Sequence, residues 1–318
     1  MRLFKIFAVA ALVFSGTHLS AHDFGSEINL FNGYRNDKLV RTNTLKAAFP
    51  EVSQKDHIHI NNIMVYQIGV DGRLMLPETC DCEWYSFFNN FYLSGFAYWG
   101  WGGPGSNLHE EITSHFTYDR QFGKARVKNY YTNDYQIGLG YLFNWCCWDL
   151  GILGGYAYDS QQIQTKHGKI AFPSSAPLID APIYGKGYKT TTRWQGPWVG
   201  TELFYNMDIW RWSLGYEYHF ARYHATHKIP GTAIPQQQGM RSETKASNAS
   251  GNVVYLNGRY FLCNGWETAL LIKYEYWQAN HGHLKSPYFY NNAYSSTKSF
   301  ASGSWSSYSV NFGVGYSF

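Results

Sequence analysis

The chain has 318 residues and a formal net charge of +4, and aromatic residues make up 19% of it while charged residues make up only 15%. Soluble proteins usually carry about 25% charged residues, so this composition disfavours an ordinary soluble enzyme. The small, dispersed positive charge also gives no support to a nucleic-acid-binding protein. Abundant Tyr, Trp and Gly are instead typical of a membrane barrel with a polar lining and aromatic rims.

The N-terminus has the pattern of a secretory signal peptide. Two basic residues precede an apolar run over residues 6–14, and small and polar residues follow up to Ala21. This run is too short for a transmembrane helix, which needs about 20 apolar residues. We therefore predict that residues 1–21 are a cleaved signal peptide and that residues 22–318 form one exported barrel domain.

Apolar and polar residues then alternate with period two, which predicts about ten strands. In chain order, the predicted strands cover residues 26–34, 57–76, 84–100, 135–143, 148–158, 199–205, 210–220, 254–262, 266–277 and 308–318. On the second of these, Ile58, Ile60 and Met64 fall on an apolar face, while His59 and Asn61 fall on the opposite face. A sheet that covers a soluble core gives the same alternation, so the period alone leaves a β-sandwich open.

The lengths of the connections favour a barrel over a sandwich. Short turns are predicted at residues 77–83, 144–147, 207–209 and 263–264, and long connections at residues 101–111, 165–184, 228–244 and 283–299. Outer-membrane barrels have short periplasmic turns and long external loops. The predicted fold class is therefore all-β, a transmembrane antiparallel up-and-down β-barrel whose long connections lie outside the cell.

The last predicted strand ends the chain at Phe318, after apolar residues at every even position from Tyr308 onwards. A terminal Phe after an aromatic-rich strand resembles the closing strand and assembly signal of Gram-negative outer-membrane barrels. We therefore expect Phe318 to act as the assembly signal, and we expect the chain to reside in the cell outer membrane. The expected partners are outer-membrane lipid and the barrel assembly machinery.

Charged residues of the predicted strands fall on the polar face, which must point inward because a charge facing lipid is costly. The candidate lumen-lining residues are Asp71, Arg73, Asp149, Glu202, Arg211, Glu217, Arg259, Glu267, Lys273 and Glu275. They could form a salt-bridged plug, or they could line a water-filled path whose charges set ion selectivity. Within the lumen we expect Glu202 to pair with Arg211, and Arg259 to pair with Glu217.

The chain contains five cysteines, an odd number that cannot pair completely within one chain. All of them fall in predicted periplasmic turns, at Cys80, Cys82, Cys146, Cys147 and Cys263. Exported proteins enter an oxidising compartment, where free thiols are unusual. The cysteines therefore stay reduced, pair locally, or form disulfides with neighbouring envelope proteins.

Histidine pairs are the candidate metal ligands. The pairs are His57 with His59, His224 with His227, and His281 with His283. No cysteine or carboxylate accompanies them at a recognised zinc spacing, and chance pairs are expected among 12 histidines. The sequence therefore predicts no metal site and no cofactor.

Several short stretches, taken in their shared order, resemble the ten-stranded omptin-type barrel over nearly the whole mature chain. They are Val52-Ser53-Gln54 before Asp56, residues 150–156, Tyr188-Lys189 ahead of residues 196–200, and Leu214-Gly215. The chain more closely resembles the Protochlamydia outer membrane protein family, chlamydial barrels that are omptin-like in fold and include porins. This resemblance implies a narrow pore for ions and small hydrophilic solutes, and a cysteine-rich envelope that favours disulfide cross-linking.

Omptins are proteases, and their chemistry needs an Asp-x-Asp pair facing an Asp-x-His pair across a water molecule. The matching segments here, residues 104–111 and 219–228, contain no Asp. The candidate substitutes are Glu110, Glu111, His224 and His227. We therefore assign no catalytic residue and predict that the chain is not an enzyme. An omptin-like hydrolase with an altered site, and a structural or adhesive barrel with a blocked lumen, remain the alternatives to a porin.

Overall fold

The computed structural model describes residues 25–46, 53–76, 90–102, 107–114, 120–165, 169–171, 181–182, 189–228, 241–285, 289–290, 293–294 and 299–318. The predicted signal peptide, the predicted turn at residues 77–83, and Cys80 and Cys82 lie outside these residues. Within them, no helix is both long enough and apolar enough to cross a membrane.

The described chain is almost entirely β-structure. The strands are β1 (Glu27–Lys46), β2 (Ser53–Met75), β3 (Phe91–Gly102), β4 (Asn107–Ser114), β5 (Arg120–Trp145), β6 (Trp148–Thr165), β7 (Lys169–Ala171), β8 (Ala181–Pro182), β9 (Lys189–Asn206), β10 (Trp210–Lys228), β11 (Arg241–Phe261), β12 (Trp266–Lys285), β13 (Phe289–Tyr290), β14 (Ala293–Tyr294) and β15 (Ser299–Ser317). A 3-10 turn, Cys263–Gly265, lies between β11 and β12.

Antiparallel pairing closes these strands into a barrel. The hydrogen-bonded order is β3-β2-β1-β15-β12-β11-β10-β9-β6-β5, and β3 also pairs with β5. The short strand β4 pairs with the same two neighbours as β3, namely β2 and β5. Together β3 and β4 therefore form one interrupted strand of a closed ten-stranded barrel. The predicted fold class is confirmed.

The two ends of the barrel differ. At the turn end lie both termini of the barrel, where Glu27 pairs with Ser317, and the tight connections at residues 146–147, 207–209 and 262–265. The predicted turns at residues 144–147, 207–209 and 263–264 are thus confirmed. At the opposite, loop end β1, β4, β6, β10 and β12 end, and β2, β5, β9, β11 and β15 begin.

One predicted loop is wrong. Residues 101–111 were expected to form a long connection, but β3 continues to Gly102 and β4 runs from Asn107 to Ser114. The polar sequence of β4 lacks the alternation that marks a half-buried strand, and its backbone pairing with β2 and β5 makes it a strand nonetheless. The connection to β5 is reduced to residues 115–119.

The barrel strands are longer than is needed to cross a membrane. Excluding the interrupted strand, they contain between 18 and 26 residues, whereas about 9–11 tilted residues cross a bilayer. The exposed apolar side chains belong to the half nearer the turn end. They include Leu30, Met64, Ile68, Leu93, Ile137, Leu139, Ile152, Val199, Leu214, Val254, Ile272, Val310, Phe312 and Val314. This half carries the lipid-facing belt, and the strands continue beyond it as an outer half.

Four β-bulges mark the boundary between the halves. Lys38 of β1 faces two residues of β2, Asn61 and Asn62, and Asn62 adopts a left-handed backbone with φ 57°. Similar irregularities interrupt the β5–β6, β10–β11 and β12–β15 pairings. Each bulge shifts the side-chain alternation by one residue, so the faces of the strand exchange.

The bulge in β2 overturns the predicted faces of that strand. Ile58 and Ile60 are 8% and 2% exposed and therefore lie inside the barrel, whereas Met64 is 56% exposed on the belt. His59 and Asn61 consequently lie on the outer surface, although alternation had placed them on the inward face. The outer half thereby acquires an apolar interior, with Leu39, Ile58, Ile60, Ile63, Val127, Ile163, Tyr223, Ala225 and Ala246 in one cluster.

Candidate functional site

The lumen of the membrane half contains three successive layers of side chains, and the first lies at the turn end. Glu27 of β1 is surrounded by three arginines: Arg73 at 3.6 Å, Arg211 at 3.5 Å, and Arg259 in close contact. Glu202 binds Arg73 at 2.8 Å and Glu267 binds Arg259 at 2.9 Å. The register brings these residues together because Glu27 lies directly opposite Arg73. We call this set the arginine layer.

The second layer lies at the middle of the barrel and is also ion-paired. Arg35 binds Asp37 at 2.7 Å and contacts Asp134, and the Tyr130 hydroxyl donates to Asp37 at 2.5 Å. On β12, which is separated from β1 only by β15, Lys273 pairs with Glu275. Arg35, Asp37 and Asp134 are each at most 2% exposed. The charged side chains of this layer are therefore buried away from bulk solvent.

The third layer is aromatic and marks the level of the bulges. Trp277 stacks against Trp305 with ring centroids 6.1 Å apart, and Trp194 lies 5.9 Å from Trp277. All three rings are at most 1% exposed. The Arg35 guanidinium lies over the Trp305 ring at 4.6 Å, which joins the aromatic layer to the charged layer below it. The apolar core of the outer half continues above this point.

Between the arginine layer and the middle layer lies a cavity of about 80 Å³. Its lining includes Asp71, Tyr98 and Asn257, and each contributes a buried oxygen that has no hydrogen-bond partner within the described part of the chain. Glu217 also lines the cavity, where it accepts a hydrogen bond from Gln136 at 2.9 Å and contacts His219 at 3.0 Å. A cavity of this size, with charged and polar side chains in its lining, has room for several water molecules.

The structure places the sequence-predicted lumen residues within these layers or beside the cavity. Arg73, Glu202, Arg211, Arg259 and Glu267 belong to the arginine layer, Lys273 and Glu275 to the middle layer, and Asp71 and Glu217 to the cavity wall. Asp149 lies near the turn end and accepts a hydrogen bond from Asn206 at 2.5 Å.

The expected partners of these residues were wrong. Glu202 binds Arg73 rather than Arg211, and Arg259 binds Glu27 and Glu267 rather than Glu217. Sequence reasoning missed Glu27, the residue that joins all three arginines, because it precedes the first clear alternation. It also missed Arg35, Asp37 and Asp134.

The features predicted for the turn end lie where the topology requires. Cys146 and Cys147 form the tight turn between β5 and β6, and Cys263 begins the turn before β12. None of these three forms a disulfide. Phe318 follows β15, and its backbone N–H donates to the Ser26 carbonyl at 2.8 Å. The role of Phe318 as an assembly signal stays a prediction.

The candidate catalytic and metal-binding residues are dispersed over the outer half. His224 binds Glu243 at 2.6 Å, and His227 is bonded to Thr190 at 2.8 Å. His57 and His59 contact each other through their Nε2 atoms. Among the side chains that the structure describes, no group of three or more His, Cys, Asp or Glu is placed to hold a metal ion.

The fold is similar to that of a solved outer-membrane protein. The outer membrane protease OmpT from Escherichia coli aligns with a TM-score of 0.67 at 12% identity, covering 95% of this chain and 99% of that protein. This likeness shows the fold alone. A Pseudomonas aeruginosa FadL homologue aligns with a TM-score of 0.30 at 7% identity over 93% of this chain and 91% of its own.

Sequence comparison gives the family. No protein of curated function matches the chain significantly. The sequence profile of the Protochlamydia outer membrane proteins, however, matches residues 29–318, which is nearly the whole chain. Together with the closed barrel and its apolar belt, this match places the protein in the outer membrane. The chain belongs to the Protochlamydia outer membrane protein family.

Proposed function

We propose that this barrel is a porin that passes ions and small hydrophilic solutes through a lumen that is closed in the conformation described here. The observation that carries the proposal is the polar cavity between the two charged layers. Asp71, Tyr98 and Asn257 line this cavity, and each has a buried oxygen atom that has no partner among the described residues. A permanent plug is expected to pair its buried polar groups, because unpaired ones are costly. Water is the natural partner for these atoms, which supports a hydrated path.

The aromatic layer is one of the obstructions that have to move. Buried Trp N–H groups usually find a hydrogen-bond acceptor. Here the indole nitrogens of Trp194, Trp277 and Trp305 have none within the described residues. These rings are therefore held by packing and not by directional bonds, so a change of rotamer breaks no hydrogen bond of theirs. We propose that rotation of these rings opens the path above the middle layer.

Planar-bilayer recording of the refolded full chain tests this proposal. The wild type is expected to show rare openings of low conductance, because the lumen is filled. The double variant Trp277→Ala with Trp305→Ala should open more often and conduct more. Trp212→Ala is the matched control, since Trp212 is 37% exposed on the outer face and should leave conductance unchanged. If wild type and double variant are both folded and silent, the lumen is a plug and the structural or adhesive barrel replaces the porin.

Ion selectivity is a second measurable property of the same pore. Glu217 borders the cavity and Arg211 belongs to the arginine layer, and buried charges bias ion passage because the low-dielectric wall strengthens their fields. Glu217→Gln and Arg211→Gln should shift reversal potentials in a salt gradient in opposite directions. Channels whose selectivity is the same in both variants would contradict a path through these layers.

We propose further that the chain is not an enzyme, in contrast to an omptin-like hydrolase. His224 and His227 lie three residues apart on β10, so a regular strand points them to opposite faces. His224 is also engaged by Glu243 at 2.6 Å. Peptide cleavage by the purified wild-type barrel would support the hydrolase instead, if a Glu110→Gln, Glu111→Gln, His227→Ala triple variant lost that cleavage.

The cysteines at the turn end support a link to the cell envelope. Cys146 and Cys263 are exposed, and barrels of this kind direct their short turns to the periplasm. We propose that these thiols form disulfides with neighbouring envelope proteins. Non-reducing gels of intact envelopes should show the barrel in high-mass species that collapse on reduction and are depleted in a Cys146→Ser, Cys263→Ser variant. A monomeric band under both conditions would contradict cross-linking.

A further inference from the structure

One buried carboxylate of the barrel interior belongs to none of the ion pairs of the lumen. Asp159 of β6 is 4% exposed. Its Oδ2 atom is enclosed and has no hydrogen-bond partner in the part of the chain that the structure describes. An ionised carboxylate in such a place is costly unless a cation or hydrogen-bond donors accompany it. Asp159 therefore lacks the partner that its burial requires.

A second aspartate lies directly opposite the first. The β5–β6 register pairs Asp134 with Asp159, and directly opposite residues share a face of the sheet with Cβ atoms about 4.5–5.5 Å apart. Asp134 is 1% exposed; its Oδ2 atom contacts Arg35, whereas its Oδ1 atom is buried without a partner among the described residues. Like charges in this arrangement repel each other. A cation between the two carboxylates would turn that repulsion into attraction.

A neutral side chain beside the two aspartates is also unpaired. Gln161 follows Asp159 by two residues on β6, so its side chain lies on the same face about 6.6 Å further along. It is 1% exposed, and neither its amide oxygen nor its amide nitrogen has a partner within the described ranges. Folded proteins leave few buried polar atoms unpaired, and a bound water or ion accounts for many that are. Gln161 thus adds a third unpaired oxygen to those of Asp134 and Asp159.

The charges around this point do not balance. The neighbouring charges that act on Asp159 most strongly are two carboxylates and two cations, Asp134 and Glu275, and Lys273 and Arg35. Arg35 also binds Asp37. When all these groups are ionised, four carboxylates therefore accompany two cations, and two negative charges are in excess away from bulk solvent. One divalent cation would neutralise that excess.

We propose that Asp134, Asp159 and Gln161 bind a divalent cation inside the barrel, with Ca²⁺ as the best-suited ion. The unpaired ligand atoms are oxygens, which suit a hard cation better than a transition metal that prefers nitrogen or sulfur. Ca²⁺ accepts carboxylate, amide and water oxygens in a flexible geometry, whereas Mg²⁺ demands a near-ideal octahedron and gives up its water reluctantly. Two carboxylates and one amide leave the remaining coordination positions to water.

This site was not predictable from the sequence and does not depend on conduction. Asp134 and Asp159 lie on different strands and meet only through register, and an amide is absent from the usual His, Cys, Asp and Glu patterns. A bound cation would join β5 to β6 at the middle of the barrel and would stabilise the folded state by mass action. It would do so in a plugged barrel as well as in a porin, so failure of either proposal leaves the other standing.

Calorimetric titration of Ca²⁺ into chelator-treated full-length barrel, in a detergent without phosphate groups, tests the site. One equivalent should bind with half-saturation below about 1 mM, and Asp159→Asn should weaken binding by about tenfold or more. Gln161→Met should weaken it less, because it removes a neutral ligand. Asp149→Asn is the matched control, since Asp149 is also inward but lies near the turn end and is bonded to Asn206.

Urea unfolding adds a readout that loss of packing would not reproduce. Ca²⁺ should raise the unfolding midpoint of the wild type and of Asp149→Asn, and it should leave Asp159→Asn unchanged. In chelator, Asp159→Asn should be at least as stable as the wild type, because it removes an unpaired buried charge. An Asp159→Asn barrel that still gains stability from Ca²⁺ would contradict the assignment.

Terbium luminescence locates the ion, because Tb³⁺ replaces Ca²⁺ and is excited by a nearby indole. Trp194 of β9 lies directly opposite Asp159. Trp194→Phe should therefore reduce the sensitised emission severalfold and retain Ca²⁺ binding, whereas Trp212→Phe on the outer face should reduce it less. The proposal is overturned if the folded wild type binds no Ca²⁺, if binding falls equally in Asp159→Asn and Asp149→Asn, or if Trp194→Phe leaves the emission unchanged.

Discussion

The membrane half and the outer half of this barrel have opposite polarity on both surfaces. In the membrane half of β10, Leu214 and Tyr216 face outward and Glu217 faces inward. Six and eight residues further along, the inward positions are Tyr223 and Ala225, both buried in the apolar core. One strand thus passes through two solvents, and its polarity pattern follows the solvent on each side.

Two devices produce this exchange. In β1 and β10 the alternation continues without interruption and the residue types change. In β2, β5, β11 and β12 an extra residue shifts the alternation instead. In β2, the bulge therefore lets apolar residues at even-numbered positions serve as core at Ile58 and Ile60 and as lipid-facing surface at Met64 and Ile68.

Deleting Asn62 should have the largest effect, because it removes the bulge of β2. The uninterrupted alternation would turn Ile58 and Ile60 outward and His57 and His59 into the apolar core, unless β2 slips against both neighbours. We expect loss of the folded, heat-modifiable band on gels. Deletion of Gln237, in the connection between β10 and β11, is the control and should be tolerated; a normal yield for both deletions would show that the bulge is dispensable.

Trp277→Ala should destabilise the barrel by about 3–5 kcal/mol, because the ring is fully enclosed and its removal leaves a cavity. Trp212→Ala should cost clearly less, since that ring loses lipid contacts on an exposed face. Urea unfolding of both variants in lipid vesicles, followed by tryptophan fluorescence, measures the difference. Equal destabilisation would indicate that the aromatic layer is loosely packed.

Leu214→Arg should cost about 2–4 kcal/mol, because it brings a charge to the lipid-facing belt. Thr226→Arg on the same face of the same strand should cost little, because this residue lies in the outer half. The two variants compare the membrane and aqueous exteriors directly in one unfolding experiment. If Leu214→Arg destabilised the barrel no more than Thr226→Arg, the bilayer would have to lie elsewhere on the barrel.

Glu243→Gln should have the smallest effect. Glu243 contacts His224 at 2.6 Å and Lys245 at 3.2 Å on the outer face, and exposed ion pairs contribute about 0–1 kcal/mol. Raised salt should reduce even this contribution. A loss as large as that of Leu214→Arg in the same assay would mean that this face of the outer half is not in water.

The sequence predicted the fold class, the number of barrel strands and the three short turns that fall within the described residues, because period-two alternation and turn residues are local signals. It underestimated strand length: β9 was expected over residues 199–205 and extends over Lys189–Asn206. The outer half of each strand alternates less visibly, since its polar exterior and small interior residues such as Ala225 give little contrast.

The lumen was predictable in composition but not in pairing. Alternation identified charged residues such as Arg73 and Arg259 as inward-facing. Which charge meets which depends on register between strands that are far apart in the chain, as for Glu27 and Arg259. The bulges could not be predicted from the sequence either, because an extra residue does not visibly interrupt the alternation of apolar and polar residues. His59 was therefore assigned to the wrong face.

Each strand leaves the membrane at the level of the bulges, and site-directed spin labelling measures where this occurs. Single labels are attached at residues 256 and 245, both outward on β11 and on opposite sides of its bulge, in a background with the native cysteines replaced by serine. In lipid vesicles, the label at 256 should collide with oxygen and be shielded from a water-soluble nickel chelate. The label at 245 should show the reverse. The same accessibility at both positions would contradict the division of the barrel into a membrane half and an aqueous outer half.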